Sequence, residues 1–202
     1  MKQKYTILRS RCIPLNQDNI DTDQIIPARY LKSTCRDEGF FGEHLFHDHR
    51  YLADGSPNPD FVLNDSRYQG HILVVGQNFG CGSSREHAAW ALAGFGIQAV
   101  IASSFADIHR QNELNNFVIP VTVSEDFLAE LFRRIAQDPA TEVEIDLPHA
   151  TVKILGSDRQ EHFPIGRFKQ YCLVHGLDDL DFLLENQSKT EAWEKQHGTP
   201  RP

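Results

Sequence analysis

Two short, almost wholly apolar runs separated by a helix-length segment constrain the fold of this chain more than any other feature. Residues 72–75 (Ile-Leu-Val-Val) and 98–102 (Gln-Ala-Val-Ile-Ala) have the continuous hydrophobicity of strands buried on both faces. Residues 84–95 and 104–115 predict helices, and residues 117–123 predict a third strand. Strands and helices that alternate with short connections predict parallel strands joined by right-handed crossovers.

Segments on both sides of this unit predict further strands and helices. Residues 143–147 alternate apolar and acidic side chains, as in a strand with one face in water. With residues 151–155 they predict an additional strand pair beside the parallel unit. The other predicted elements are a strand at 5–15, a helix at 124–137 capped by Ser124, and helices at 166–175 and 177–185.

The chain has the size and composition of one α/β domain with a short appendage. Its 202 residues are 40% hydrophobic, which is enough for a substantial core. We assign residues 1–185 to this single domain and expect the polar tail, residues 186–202, to fray. Within the domain, residues 37–64 carry several Gly, Pro, Asp and His residues and predict short helices and loops in an exposed or mobile region.

Charge, hydropathy and cysteine spacing exclude several classes of function. The net charge of −8 disfavours nucleic acid, which requires a basic face, and no apolar run approaches the ~20 residues of a membrane helix. Arg9 and Arg11 interrupt the N-terminal region, so we expect no signal peptide. The four cysteines show no CxxC spacing, so we predict no metal site built by this chain alone, and free thiols in a reducing cytoplasm.

The glycine-rich segment at residues 76–87, Gly-Gln-Asn-Phe-Gly-Cys-Gly-Ser-Ser-Arg-Glu-His, follows a predicted strand and opens a predicted helix. Ligands of α/β folds bind at the carboxyl ends of strands, and a helix N-terminus attracts anions. The segment lacks the lysine of a Walker loop, the third glycine of a dinucleotide fingerprint and the second glycine of a hydrolase elbow. Nucleotide binding and Ser-His-Asp hydrolysis therefore lose support.

A purely structural interpretation of this segment stays open. Ser83 and Glu86 have capping-box spacing, in which the serine hydroxyl accepts from the Glu86 amide. A cap alone does not need three glycines within seven residues, and Arg85 in the first turn opposes the helix dipole. An arginine at that position suggests a bound anion, because its guanidinium grips a carboxylate through two parallel hydrogen bonds.

A serine in this segment needs outside help to act as a base. The helix terminus supplies at most about 2 kcal/mol, which corresponds to about 1.5 pKa units. Flanking amides and a dry site add to this, but a metal-bound substrate is the natural missing contribution. Because the chain has no metal motif, we predict a composite site that a second protein completes.

Three motifs carry a resemblance to a known family. Residues 80–87 closely resemble the swivelling-domain signature of the aconitase superfamily. Residues 19–31, Asn-Ile-Asp-Thr-Asp-Gln-Ile-Ile-Pro-Ala-Arg-Tyr-Leu, resemble the small subunits of bacterial 3-isopropylmalate dehydratases, as do residues 166–172 with residues 176–179. The order and spacing of the motifs match over nearly the whole chain, so the resemblance is specific.

The resemblance implies the swivelling β/β/α fold and a role in leucine biosynthesis. Enzymes of this family interconvert 2-isopropylmalate and 3-isopropylmalate through 2-isopropylmaleate, as heterodimers whose large subunit carries a 4Fe–4S cluster with one open iron as Lewis acid. By position, Ser83 matches the base that takes the α-proton, and Ser84 and Arg85 match groups that hold the malate-type substrate. Asp23 lies in a segment that approaches the same site, and no cofactor is implied for this chain itself.

One stretch departs from the superfamily pattern. Where aconitase itself uses an arginine to hold the third carboxylate of its substrate, residues 30–33 here are Tyr-Leu-Lys-Ser. We interpret Leu31 as part of an apolar wall for an isopropyl group, although the nearby Arg29 leaves the alignment open. A methyl-sized difference is worth only about 1–3 kcal/mol in a pocket, so related malates are expected to react as well.

Five histidines near the motifs have two interpretations each. His44, His47 and His49 look like metal ligands, but their polar surroundings favour solvated surface histidines. His87 and His109 fall on predicted helices beside the site, either as packed side chains or as proton carriers.

Two rival functions remain open. Cys81 lies near a helix N-terminus, which lowers a thiol pKa, so a thiol enzyme is one rival, although no partner base is evident. The glycine-rich segment without a cofactor motif also fits a stand-alone anion-binding or regulatory module. Such a module would bind a carboxylate or phosphate without a second protein.

Overall fold

The computed structural model describes residues 4–32 and 38–198, which form an α/β structure built on one seven-stranded sheet. Cys35 and the end of the tail, residues 199–202, lie outside the described residues. None of the described helices is long and apolar enough to cross a membrane. The strands are β1 (Ile7–Leu15), β2 (Ile72–Val75), β3 (Ala99–Ala102), β4 (Ile119–Thr122), β5 (Glu142–Asp146), β6 (Thr151–Ile154) and β7 (Gln160–His162). The α-helices are α1 (Thr22–Ile25), α2 (Glu38–Glu43), α3 (His47–Arg50), α4 (Glu86–Phe95), α5 (Asp107–Asn115), α6 (Glu125–Gln137), α7 (Arg167–His175), α8 (Asp179–Glu185) and α9 (Gln187–His197).

The sheet is parallel on one side of β1 and antiparallel on the other. Its strand order is β4-β3-β2-β1-β5-β6-β7, with parallel pairing from β1 to β4 and antiparallel pairing from β1 through β5 and β6 to β7. The predicted α/β fold and its parallel unit are therefore confirmed. The predicted strand pair is instead a three-stranded extension, because β7 also pairs with β6. The three polar residues of β7, Gln-Glu-His, have no apolar alternation from which a strand is predicted.

The two central parallel strands run through the middle of the core. Every residue of β2 and β3 is buried, and successive side chains point to opposite faces of the sheet. One face is covered by α6 through Phe127, Leu131 and Ile135, and the other by α2 and α4 through Phe41 and Leu92. Full burial of each such side chain is worth roughly 1.5–3 kcal/mol. The carboxyl ends of β1 and β2 are therefore anchored in a well-packed core.

The described part of residues 37–64 forms the short helices and loops predicted for it, and it is exposed over most of residues 52–60 but buried around residues 41–46. Its most buried side chains are Phe41, Leu45 and Phe46, each at most 1% exposed. A Cβ added at Gly42 would lie 2.2 Å from the carbonyl carbon of Gly94, so α2 and α4 touch through their backbones. The average polarity of the segment concealed this packing, because a few aromatic and aliphatic side chains decide which face is buried.

The described part of the polar C-terminal tail, for which fraying is predicted, is helical. Residues Gln187–His197 form α9, in which the Gln187 Nε2 donates to the Glu191 Oε1 at 2.9 Å. No residue of α9 is buried. Its Gln, Lys, Glu and Ala residues have high helix propensity, and side chains four positions apart add support. An exposed segment can therefore still have a regular backbone. The boundary between domain and tail at residue 185 stays a prediction.

Candidate active site

The Asp-rich and glycine-rich segments lie side by side at one edge of the sheet. β1 and β2 are parallel neighbours, so the segments that follow them emerge together. Main-chain hydrogen bonds of ordinary length then join the two segments. They run from Asn19 N to the Gln77 oxygen (2.9 Å), from Gly80 N to the Ile20 oxygen (2.8 Å) and from Thr22 N to the Cys81 oxygen (3.0 Å). The two sequence motifs thus form one structural unit, which we call the paired segments (residues 17–23 and 76–85).

The segment that follows β3 also holds the glycine-rich segment. Ser104 accepts at its Oγ from Asn78 N at 2.8 Å and at its carbonyl oxygen from Phe79 N at 3.1 Å. Ser104 and Asp107 have the spacing of a capping box, but that box does not form, since Ala106 is the N-cap of α5. The hydroxyl serves a neighbouring segment instead, which local sequence spacing does not reveal.

Thr22 ties the end of the Asp-rich segment to Ser83. Thr22 is only 1% exposed, and its hydroxyl donates to the Ser83 carbonyl oxygen at 3.0 Å. The main chain of Ser83 is therefore fixed, while the residue itself lies at the exposed surface. Sequence reasoning missed Thr22, and its place inside the 19–31 motif was the one signal that could have found it.

A short capped helix places Asp23 next to Arg85. Asp21 caps α1: its Oδ1 accepts from Gln24 N at 2.8 Å, and its own N–H donates to the Gln24 Oε1 at 2.9 Å. Asp23 lies in the first turn of α1, and its carboxylate forms an ion pair with Arg85 Nη1. The structure therefore brings together two of the residues that the sequence assigned to one site.

Arg85 precedes α4 instead of lying in its first turn. The residue has extended backbone, with φ −107° and ψ 110°, and is the N-cap of α4 without a capping hydrogen bond from its side chain. The predicted capping box between Ser83 and Glu86 is consequently wrong, because the chain stays extended until the helix begins at Glu86. The Arg85 side chain is 19% exposed, so a carboxylate that meets it would be partly shielded from water.

Ser83 and Ser84 lie at the surface between the glycines and Arg85. Both residues are exposed, and the Ser83 carbonyl oxygen accepts from Arg85 N at 2.8 Å across a tight turn. Their hydroxyls are thus carried on a turn that adjoins both a guanidinium and the N-terminus of α4. Such surroundings stabilise negative charge on an oxygen atom or on a bound anion.

Leu31 lies farther along the chain from Asp23, at the end of a 3₁₀ turn over Ala28–Tyr30. The side chain is partly buried and packs against the apolar cluster that includes Ile25 and Phe41. Among the described residues, no hydrogen bond joins Leu31 to the paired segments. Its assignment to the substrate pocket therefore stays a prediction.

The three histidines at positions 44, 47 and 49 form ring contacts instead of a metal site. No group of three or more potential metal-binding side chains occurs among residues 4–32 and 38–198. The rings of His44 and His47 stack at 5.5 Å, and Tyr30 lies 4.0 Å and 5.1 Å from them. His49 stacks on Phe61 at 5.6 Å. These rings are half-buried, so the three histidines lie at the surface but are only partly solvated.

His87 lies in the first turn of α4, close behind Arg85. Its ring centroid is 5.3 Å from that of Phe41 and 4.5 Å from that of Trp90. Burial lowers the pKa of His87, and the charge of Arg85 lowers it further against an opposing effect of Glu86. We therefore expect a neutral imidazole at pH 7, which fits a packed side chain and leaves a proton-carrying role open.

Cys81 is expected to be the most reactive thiol among the described cysteines. It is partly exposed, whereas burial raises the pKa of Cys12 within β1 and of Cys172 within α7. Because a thiol must be both accessible and deprotonated to react, we expect iodoacetamide to label Cys81 at least about tenfold faster than Cys12 or Cys172. Timed alkylation followed by peptide mass spectrometry measures this and separates the peptide that contains Cys35. Equal labelling of Cys12 and Cys81 in the folded protein would contradict the described burial.

Comparison with known proteins gives one consistent result. Residues 2–126 match the sequence model of the aconitase C-terminal domain. The chain is 49% identical over 193 residues to a 3-isopropylmalate dehydratase small subunit of Cytophaga hutchinsonii, covering 96% of this chain and 95% of that protein. It is 50% identical over 199 residues to one from Chloroflexus aurantiacus, covering 98% of both. A crystal structure of 3-isopropylmalate dehydratase (leuD) from Methanocaldococcus jannaschii superposes with a TM-score of 0.67 at 29% identity, over 93% of this chain and 99% of that one.

Proposed function

The chain belongs to the aconitase C-terminal domain family and, within it, to the small subunits of 3-isopropylmalate dehydratase, and from this premise we propose how its residues serve the reaction. The enzyme is a hydro-lyase of leucine biosynthesis that removes water from 2-isopropylmalate and returns it to give 3-isopropylmalate. In our proposal the paired segments form the half of the active site that this chain supplies. The joining of Ser83, Arg85 and Asp23 on one hydrogen-bonded unit is the observation that supports it.

Ser83 takes the carbon-bound proton of the substrate in this proposal. A serine is a very weak acid, so its oxygen must be strongly stabilised before it can act as a base. The adjoining helix terminus contributes at most about 2 kcal/mol, and the nearby guanidinium of Arg85 adds a full positive charge. Closure against a partner would exclude water and strengthen both effects.

Arg85 and Ser84 hold the carboxylates of the substrate. A guanidinium has five N–H donors, so Arg85 retains donors for a substrate carboxylate while Asp23 accepts from Nη1. Ser84 is exposed beside it and offers a hydroxyl that rotates freely to donate to a substrate oxygen. Asp23 orients the guanidinium, and its pairing with an exposed carboxylate is weak enough to be rearranged, at about 0–1 kcal/mol.

Leu31 contacts the isopropyl group of the substrate. Its side chain is already partly buried against an apolar cluster, so an isopropyl group placed over it would extend that cluster. Such a contact is worth about 1–3 kcal/mol between substrates that differ by a methyl group. The proposal therefore assigns Leu31 to selectivity among malates and not to the chemical step.

The catalytic iron belongs to a separate large subunit. Cys12 and Cys172 are buried within β1 and α7, and the described residues provide no group of three metal ligands. They do not fit an iron–sulfur cluster, so no step of the proposal passes through one bound by this chain. Residues 1–185 act as a single swivelling domain that closes on the cluster-bearing subunit in a heterodimer, with residues 186–202 as an appendage. The complex works in the cytoplasm, where free thiols stay reduced.

Reconstitution tests the proposed function. Mixing the purified chain with the large subunit, its 4Fe–4S cluster verified by spectroscopy, is expected to give turnover of 2-isopropylmalate, followed through the absorbance of the alkene intermediate. Each protein alone should be inactive. Calorimetry of the chain alone with 2-isopropylmalate or inorganic phosphate should show negligible binding, because half of the site is missing. Tight binding by the chain alone would favour the anion-binding module, and the absence of turnover with an intact cluster would contradict the dehydratase assignment.

A further inference from the structure

A buried histidine ring supports the glycine-rich segment from the side of α5. His109 is 2% exposed, and a Cβ added at Gly80 would lie 2.1 Å from both Cγ and Cδ2 of its ring. The ring therefore lies directly against the Cα of Gly80. Gly80 also has φ +73°, a left-handed conformation that favours glycine. Any larger residue at position 80 would have to displace the segment, the ring or both.

Phe79 and the backbone of Gly80 complete the contact. The rings of Phe79 and His109 meet edge to face, with centroids 5.1 Å apart and an interplanar angle of 75°. The main chain of Phe79 and Gly80 bonds the neighbouring segments: Gly80 N donates to the Ile20 oxygen, and the Phe79 oxygen accepts from Ala106 N. Those bonds fix the segment along the sheet edge. Beyond the N-cap of α5, the His109 ring fills the space between that helix and the segment.

The ring is itself held by a buried carboxylate. Glu113 lies one turn later on α5 and is 0% exposed, and its Oε1 is 3.0 Å from His109 Nε2, an ion-pair distance without hydrogen-bond alignment. Burial raises the pKa of Glu113, and its contact with His109 opposes that rise. Buried ion pairs add little net stability, because the cost of desolvation offsets their attraction. A role confined to stability would be served equally well by two apolar side chains.

We propose that His109 is a positioning residue for the dehydratase reaction. Its ring, held by Glu113, sets the distance from α5 to Gly80 and so the position of the segment that carries Ser83. Ser83 follows Gly80 by three residues on a turn whose other contacts are already fixed by Thr22 and Arg85. A shift at Gly80 would strain this short turn against those fixed contacts, and we expect the serine oxygen to move relative to the substrate. The inference rests on the proposed role of Ser83 in catalysis.

Variants at position 109 separate the ring from its contact with Glu113. In the reconstituted enzyme, His109→Ala is expected to lower kcat about 10- to 100-fold, since a displacement near 1 Å can cost about 100-fold, while KM changes less than about twofold. The double variant His109→Phe/Glu113→Leu keeps a flat ring and leaves no unpaired buried charge. It is expected to restore kcat to within about threefold of the wild type. If His109→Ala does not fold, His109→Leu fills the space without a ring and should still lower kcat about tenfold.

Two controls make the outcome decisive. Val152→Ala in β6 removes a buried side chain from another part of the core and should lower thermal stability without changing kcat. Unchanged kcat in a folded His109→Ala or His109→Leu variant would overturn the proposal. So would a double variant as impaired as His109→Ala, because that result would assign the effect to the contact between His109 and Glu113 and not to the ring. Inactive wild type with a verified cluster would instead count against the proposed function, whereas active wild type with unaffected position-109 variants would count only against this inference.

Discussion

Replacing Ser83 by alanine is expected to lower kcat of the reconstituted dehydratase by about three orders of magnitude, within the 10²–10⁴ range of positioned proton-transfer groups. The substitution removes the proposed base and leaves the Arg85 guanidinium in place. The hydroxyl of Ser83 takes no part in capping α4, so the fold should be unaffected. Steady-state kinetics with 2-isopropylmalate, together with a thermal unfolding curve, measure both quantities.

The neighbouring serine is the matched control for this experiment. Ser84→Ala removes the same atom from the next residue, which is equally exposed. Because Ser84 is proposed to bind substrate, its loss should mainly raise KM, by about tenfold for one hydrogen bond to a charged group. Retention of more than a tenth of kcat by Ser83→Ala, or an equal loss of kcat in both variants, would remove Ser83 as the base.

Arg85→Lys is expected to raise KM for 2-isopropylmalate about 10- to 100-fold and to lower kcat/KM by at least as much. A hydrogen bond to a charged group contributes about 1.5–3 kcal/mol, and 1.36 kcal/mol corresponds to a factor of ten. Lysine retains the charge but loses the planar fork that grips a carboxylate through two bonds. The loss should therefore exceed what the charge alone explains, and steady-state kinetics over a wide substrate range will measure it.

Two further variants assign the effect to substrate binding. Asp23→Asn removes the partner of Arg85 in this structure, but the exposed pair is worth only about 0–1 kcal/mol, so a change of a few fold is expected. Arg134→Lys changes an arginine on α6 that is likewise paired with a carboxylate, that of Glu130, and it should leave the kinetics unchanged. If Arg85→Lys resembles Arg134→Lys, Arg85 does not bind the substrate.

Patterns of hydrophobicity predicted most of the fold, because burial acts on neighbouring residues in a regular way. The continuous apolar runs of β2 and β3 and the acidic alternation of β5 each correspond to a strand. Errors arose where a structure depends on distant partners or on propensity without burial. β7 exists because β6 offers it an edge, and α9 exists because its residues favour helix while remaining exposed.

The candidate site was only partly predictable for the same reason. Glycines and an arginine at the end of a buried strand identified residues 76–87 as a candidate binding segment. The proximity of Asp23 to this segment was inferred from a second motif. The hydroxyl of Thr22, the pairing of Arg85 with Asp23 and the ring under Gly80 all join residues far apart in the chain. No local spacing encodes such contacts. Two capping boxes suggested by spacing do not form, because Ser104 bonds the distant Asn78 and Ser83 lies in a turn before α4 begins.

The hydrogen bonds that join the paired segments lie entirely within one polypeptide. The shape of this half of the site is therefore independent of any covalent link to a partner half. A gene that encodes the two halves separately and a gene that fuses them end to end would present the same constellation to the substrate. The linker in such a fusion would determine how often the halves meet, and not how either half is built.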